Sequence, residues 1–164
     1  MCEYCGCQQI DSIAELTREH DAIVIAAGEI GRQVGAGELD SAAITSRLIV
    51  ELLRPHTSVE EEGLFPCLAA DFPDHVGVLR AEHRQIEAVL AESAFGVPGD
   101  PSWPARLLAT LYLLREHILK EQDGLFPAAL VALDTDQWKR IDEIRTRVGS
   151  ALPLVHPHRA WPNH

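Results

Sequence analysis

Apolar residues recur along this chain every three or four positions, the spacing that lines one face of an α-helix, and the alternation that marks strands is nearly absent. Ile13, Leu16, Ile23, Ala27 and Ile30 predict a first helix, opened by the capping-box pattern Ser12-Ile13-Ala14-Glu15 and closed at Gly35-Ala36-Gly37. A second, capped at Asp40 or Ser41, runs through Ile44, Leu48, Leu52 and Val59 towards Asp71. A kink or break is expected in it near Phe65, because Pro66 lacks an N–H and its ring crowds the preceding turn. Pro73 suits the first position of a third helix, which reaches about Ser93 before Gly96-Val97-Pro98-Gly99. Asp100-Pro101 begins a fourth, ending near Leu133 with a similar kink at Pro127. Thr135 or Asp136 opens a shorter fifth helix that stops near Gly149, and Pro153, Pro157 and Pro162 predict an irregular tail. The expected fold is all-α: an antiparallel up-down four-helix bundle with a short fifth helix and an irregular C-terminal tail. Residues 1–10 read as a Cys-rich N-terminal segment, 11–133 as the bundle, and 134–164 as the short helix and Pro-rich tail.

An internal repeat changes the picture from architecture to chemistry. Arg54-Pro55-His56, Glu60 and Gly63-Leu64-Phe65-Pro66 return 61 residues later as Arg115-Glu116-His117, Glu121 and Gly124-Leu125-Phe126-Pro127. A weaker pair, Leu16-x-x-Glu19-His20 and Leu79-x-x-Glu82-His83, joins helices one and three. The chain therefore reads as two helical hairpins related by a pseudo-two-fold axis. Each long helix carries one mid-helix histidine, His20, His56, His83 or His117, with a leucine four residues earlier at Leu16, Leu52, Leu79 or Leu113. Residues four apart share a helix face, so the rings are expected to point inward. Glu60, Glu87 and Glu121 follow three of them by one turn. Four imidazoles and three carboxylates at one depth would be very costly in a dry core. Two divalent or trivalent metal ions held by His20, His56, Glu60, His83, Glu87, His117 and Glu121 remove that cost. Glu61, Glu62 and Asp123 face other directions and are expected to be solvated.

Charge narrows the partners. With 25 acidic and 14 basic residues in 164, the net charge is −11, which repels phosphate backbones and anionic lipid, so neither nucleic acid nor a membrane is expected. No apolar run is long enough to span a bilayer, and the N-terminus lacks the basic start and apolar stretch of a signal peptide, so a cytoplasmic location is expected. No Ser-His-Asp arrangement or phosphate-cradling Gly-rich loop supports hydrolase or nucleotide chemistry.

The order and spacing of His20, His56 with Glu60, His83, and His117 with Glu121, followed by Leu-Phe-Pro, resemble the hemerythrin-like, HHE cation-binding domains over about residues 11–133. That resemblance implies two non-haem irons, with Glu60 and Glu121 bridging, His20 and His56 on one ion, and His83 and His117 on the other. It implies binding or reduction of a small oxidant (dioxygen, peroxide or nitric oxide), with an electron donor as a further partner. The alternative readings are an iron- or redox-responsive regulatory protein, or metal storage and detoxification. Two departures stand out: oxygen-carrying members have a second histidine where this chain has Glu87, and an aspartate where it has Gln122. Oxygen ligands favour the oxidised metal, which shifts the expectation from reversible oxygen carriage towards peroxide or nitric-oxide chemistry, redox sensing or iron handling.

Cys2, Cys5 and Cys7 form a separate constellation. Three thiolates can share one soft ion, with zinc the leading candidate and His158 or His156 of the tail as fourth ligand. A redox-active cysteine pair and an unstructured segment are the competing readings.

Overall fold

The computed structural model describes residues 11–152. Helices α1 (Asp11–Gly35), α2 (Leu39–Val59), α4 (Pro73–Ala91) and α5 (Trp103–Lys120) form the bundle. Helix α3 (Phe65–Leu68) continues α2 and α6 (Phe126–Ala132) continues α5, each across a π turn, while α7 (Thr135–Val148) packs against α1, the end of α2 and the first π turn. No strand occurs among the described residues.

Two apolar clusters show how the chain runs. One gathers Ile23, Ile30, Ile49, Leu52, Ile86, Leu90, Trp103 and Leu114. The other gathers Ile13, Leu16, Val59, Phe65, Leu79, Leu125, Phe126 and Ile141. The second draws on the start of α1 and α4 but on the end of α2 and on the segments that continue α2 and α5, so successive long helices point in opposite directions. His20, His56 and His83 fall between the clusters along their helices, and His117 lies where the first cluster ends in α5, beside Ile118. Of the leucines one turn earlier, Leu16, Leu52 and Leu79 are fully buried; Leu113 is half-buried, and Leu114 takes the inward place in α5.

The kinks expected at Pro66 and Pro127 are absorbed by π turns, Glu60–Leu64 and Glu121–Leu125. In a regular α-helix each proline ring would press on the carbonyl four residues back and remove a hydrogen bond, at a cost of about 3 kcal/mol. Here the Phe65 N–H reaches back five residues to the Glu60 carbonyl, and the Phe126 N–H reaches the Glu121 carbonyl. Pro66 and Pro127 then occupy the first turn of the next helical segment, where a missing N–H is tolerated. Helix ends deviate little from expectation. Gly37 turns the chain between α1 and α2 with φ +74°, a conformation that suits glycine. The α7 cap is Asp134, in a reciprocal capping box with Gln137. Ser12 is no cap: it lies inside α1 and donates its hydroxyl to Asp142 of α7.

Candidate metal centre

The four inward histidines meet two glutamates midway along the bundle. His20, His56, Glu60 and Glu121 form one group of converging donors, and Glu60, His83, His117 and Glu121 form a second; every member is buried. The two carboxylates are common to both groups, and their oxygens divide between them. Glu60 Oε1 lies 3.3 Å from His56 Nε2, and Oε2 lies 3.3 Å from His83 Nε2. Glu121 Oε2 lies 3.1 Å from His20 Nε2, and Oε1 lies 2.9 Å from His117 Nε2.

These distances alone do not make hydrogen bonds. Both oxygens of Glu60 and of Glu121, Nε2 of His83 and both ring nitrogens of His20 are buried without a properly aligned partner. Such orphans are rare in folded proteins because each forfeits its hydration. Donors bound side by side to one ion at roughly 2.1 Å stand about 3.0 Å apart, which is the spacing found here. The residues therefore fit a pair of ions.

The outer nitrogens of three rings are held by carboxylates. Glu19 Oε2 lies 2.9 Å from His56 Nδ1, Glu82 Oε2 lies 2.9 Å from His117 Nδ1, and Glu61 Oε1 lies 2.9 Å from His83 Nδ1. A carboxylate only accepts, so each Nδ1 donates its proton outward and Nε2 is left to face the centre. Burial works against ionised Glu19, but His56 and Arg145 more than offset it, and its carboxyl stays below the usual range. Burial likewise opposes ionised Glu82, and Lys120 and His117 hold it low.

Electrostatics at the centre follow the same balance. Burial disfavours a charged His56 ring, yet Glu60 and Glu19 take it up to about 10. Burial also opposes His83, and Glu121 and Glu60 raise it to about 11. His117 moves upward as well, burial being overcome chiefly by Glu121. Burial and the Glu121 charge push Glu60 up, but His56 and His83 hold it at about 2. Glu121, despite its burial, is held well below the ordinary value by His117, His20 and His83. The centre is thus a cage of two anions that attracts positive charge, as protons on the rings or as metal ions.

Six of the seven residues picked out by spacing come together. Glu87 does not: it is half-buried and lines a surface groove with Arg54, Thr57, Ser58 and Glu61. Glu60 and Glu121 each open a π turn, whereas α4 stays regular and Ile86 takes the inward position. Glu61, expected to be solvated, instead holds the His83 ring, while Glu62 and Asp123 are exposed. Spacing gave no part to Glu19 or Glu82. Their signal was the glutamate directly before the histidine of α1 and of α4, about 100° round the helix from it and so aimed at the next helix. Cys2, Cys5, Cys7, His156 and His158 lie outside the described residues.

Two walls complete the centre. Phe126 stacks on His20 and Phe65 on His83, both at 5.5 Å between ring centres. His20 also forms the inner end of a groove of about 500 Å³ between α1 and α5, lined by Val24, Arg115, Leu119 and Gln122. No described helix is long and apolar enough to cross a membrane. Neither curated proteins nor solved structures yield a match to this chain. The model of the hemerythrin HHE cation binding domain matches residues 11–129, which span the described bundle and all six converging donors, and the chain belongs to that family.

Proposed function

We propose that the chain is a non-haem diiron protein that binds or reduces a small oxidant. His20 and His56 would hold one iron, His83 and His117 the other, and Glu60 and Glu121 would bridge them. The observation that carries this reading is the division of both carboxylates, one oxygen towards each histidine pair. A mixed imidazole and carboxylate donor set suits iron. When bound, the iron pair supplies one-electron redox steps and coordination positions for a small ligand.

The chain's own residues support that chemistry in three ways. Glu19, Glu61 and Glu82 keep the outer ring protons, so His56, His83 and His117 present fixed, basic Nε2 atoms. Phe65, Phe126 and the apolar clusters on either side exclude bulk water. The α1–α5 groove brings a diatomic or peroxide-sized ligand to the His20 ring. Two carboxylates leave a pair of divalent or trivalent ions with net positive charge, which favours anionic small ligands.

Protein purified from an iron-replete host tests the reading. Close to two irons per chain, near-ultraviolet charge-transfer bands, and a spectrum that changes when the reduced protein meets dioxygen, peroxide or nitric oxide are the expected results. One ion or fewer per chain, or a loaded protein indifferent to all three oxidants, would overturn it.

A further inference from the structure

The two halves of the centre are anchored differently. In the His117 half, Glu82 pairs with Lys120, which stands three residues after His117 on the same helix and is 38% exposed. In the His56 half, Glu19 is fully buried and its charge is met from outside the bundle. Arg145 of α7 donates Nη1 to Glu19 Oε1 at 2.7 Å and Nη2 to Oε2 at 2.9 Å, the two-pronged fit of guanidinium to carboxylate. The Ser150 hydroxyl adds a third bond at 3.1 Å, and His56 Nδ1 a fourth. Arg145 is only 14% exposed and in turn donates to the Gly149 carbonyl, where φ +74° ends α7. Every link in this chain of contacts beyond Glu19 lies after residue 129, outside the part of the sequence that defines the family.

We propose that Arg145 is a positioning residue for the ion held by His20 and His56, acting through Glu19 on the ring of His56. The inference rests on the two-ion reading above. A buried carboxylate with four donors has one orientation, and that orientation fixes the plane of the His56 ring and the aim of its Nε2. Without the guanidinium, Glu19 loses two of its four donors and keeps only the Ser150 hydroxyl and His56 Nδ1, so its plane and with it the aim of the ring are less firmly fixed. His20 cannot compensate, because neither of its ring nitrogens has a hydrogen-bond partner. The His83 and His117 rings are held by Glu61 and Glu82, neither of which bonds to Arg145. The helix that follows the family domain therefore governs one ion of the pair.

The test is release of ferrous iron from anaerobically loaded protein to a competing chelator, followed as ions per chain against time. Arg145→Gln is expected to speed the loss of one ion about 10–100-fold and leave the other near its wild-type rate. Arg145→Lys, which restores charge without the fork, should fall between. Arg147→Gln, which breaks only the exposed pair with Glu62, should match the wild type and controls for loosened docking of α7. Melting of the metal-free variants separates a positioning role from a structural one. Equal acceleration of both ions together with a lower metal-free melting temperature would overturn the proposal in favour of simple packing. Wild-type release rates for both ions in Arg145→Gln would overturn it alone, whereas a wild type that never retains two ions would overturn the two-ion reading and this inference together.

Discussion

Glu121→Gln is the sharpest single perturbation of the centre, because it removes a charge and keeps the shape. The carboxylate is fully buried and its oxygens stand 3.1, 3.7 and 2.9 Å from the Nε2 atoms of His20, His83 and His117. Those rings belong to both halves, so the substitution should empty both metal positions. His117→Ala, by contrast, removes one donor from one half and should spare the other ion. The metal-free protein should also weaken. Breaking a buried ionic contact from one side costs about 3–5 kcal/mol, and relief of the repulsion between Glu121 and Glu60 places the loss near 3. At roughly 2–4 °C per kcal/mol for a chain of this size, the melting temperature should fall by about 6–12 °C. Metal analysis after loading, and calorimetry of the metal-free protein, read the two effects separately. A Glu121→Gln variant that still holds two ions would refute the shared-carboxylate geometry, and an unchanged metal-free melting temperature would refute the charge balance.

Other predictions follow from the same contacts. The metal-free protein keeps protons on His56 and His83 up to about pH 10 and 11 rather than 6.5. That contribution is complete below 6.5 and fades as pH rises through those values, whereas ions must displace the same protons and bind better as pH rises; the gap in melting temperature between loaded and metal-free protein should widen from about pH 6 to about pH 9, and a gap that narrows would contradict the cage described above. Glu87→Ala should leave metal content unchanged, since Glu87 stands outside both donor groups; loss of an ion would restore it as a ligand. Gly63→Ala should cost about 1–2 kcal/mol, because a Cβ there meets Ile141 Cγ1 at 3.1 Å and Ile144 Cδ1 at 3.4 Å. Its repeat partner Gly124→Ala, with His75 Nε2 at 3.7 Å, should be neutral or stabilising by up to ~0.5 kcal/mol, and urea denaturation of the pair would expose a mistaken assignment of the α7 contact.

The bundle and its inward histidines were legible because helical periodicity and an exact-spacing repeat point the same way at His56 with Glu60 and at His117 with Glu121. Spacing failed where the backbone leaves the regular helix or where partners sit on different helices. Glu87 has the same offset from His83 as Glu60 has from His56, yet only Glu60 opens a π turn, and the sequence signal for that turn, Gly-Leu-Phe-Pro, suggested a kink. Glu19 and Glu82 lie 37 and 35 residues from the histidines they hold, a relation no local pattern encodes. Arg145 lies 126 residues from Glu19 and outside the repeat altogether, so nothing in the hairpin symmetry pointed to it.

The polar layer of His20, His56, His83 and His117 separates two apolar clusters that do not merge. The first cluster draws on all four long helices, and the second on α1, α2 and α4 with the segments that continue α2 and α5, so each is able to zip its own end of the bundle. The layer between them then acts as a seam across the molecule. With protons alone in the cage, the two ends should open as separate units, and amide hydrogen exchange should report two levels of protection with the break near the histidines. Ions bound across the seam tie α1 and α2 to α4 and α5 through Glu60 and Glu121, and one shared level of protection should replace the two. Loading the centre would thereby turn two adjoining folding units into one.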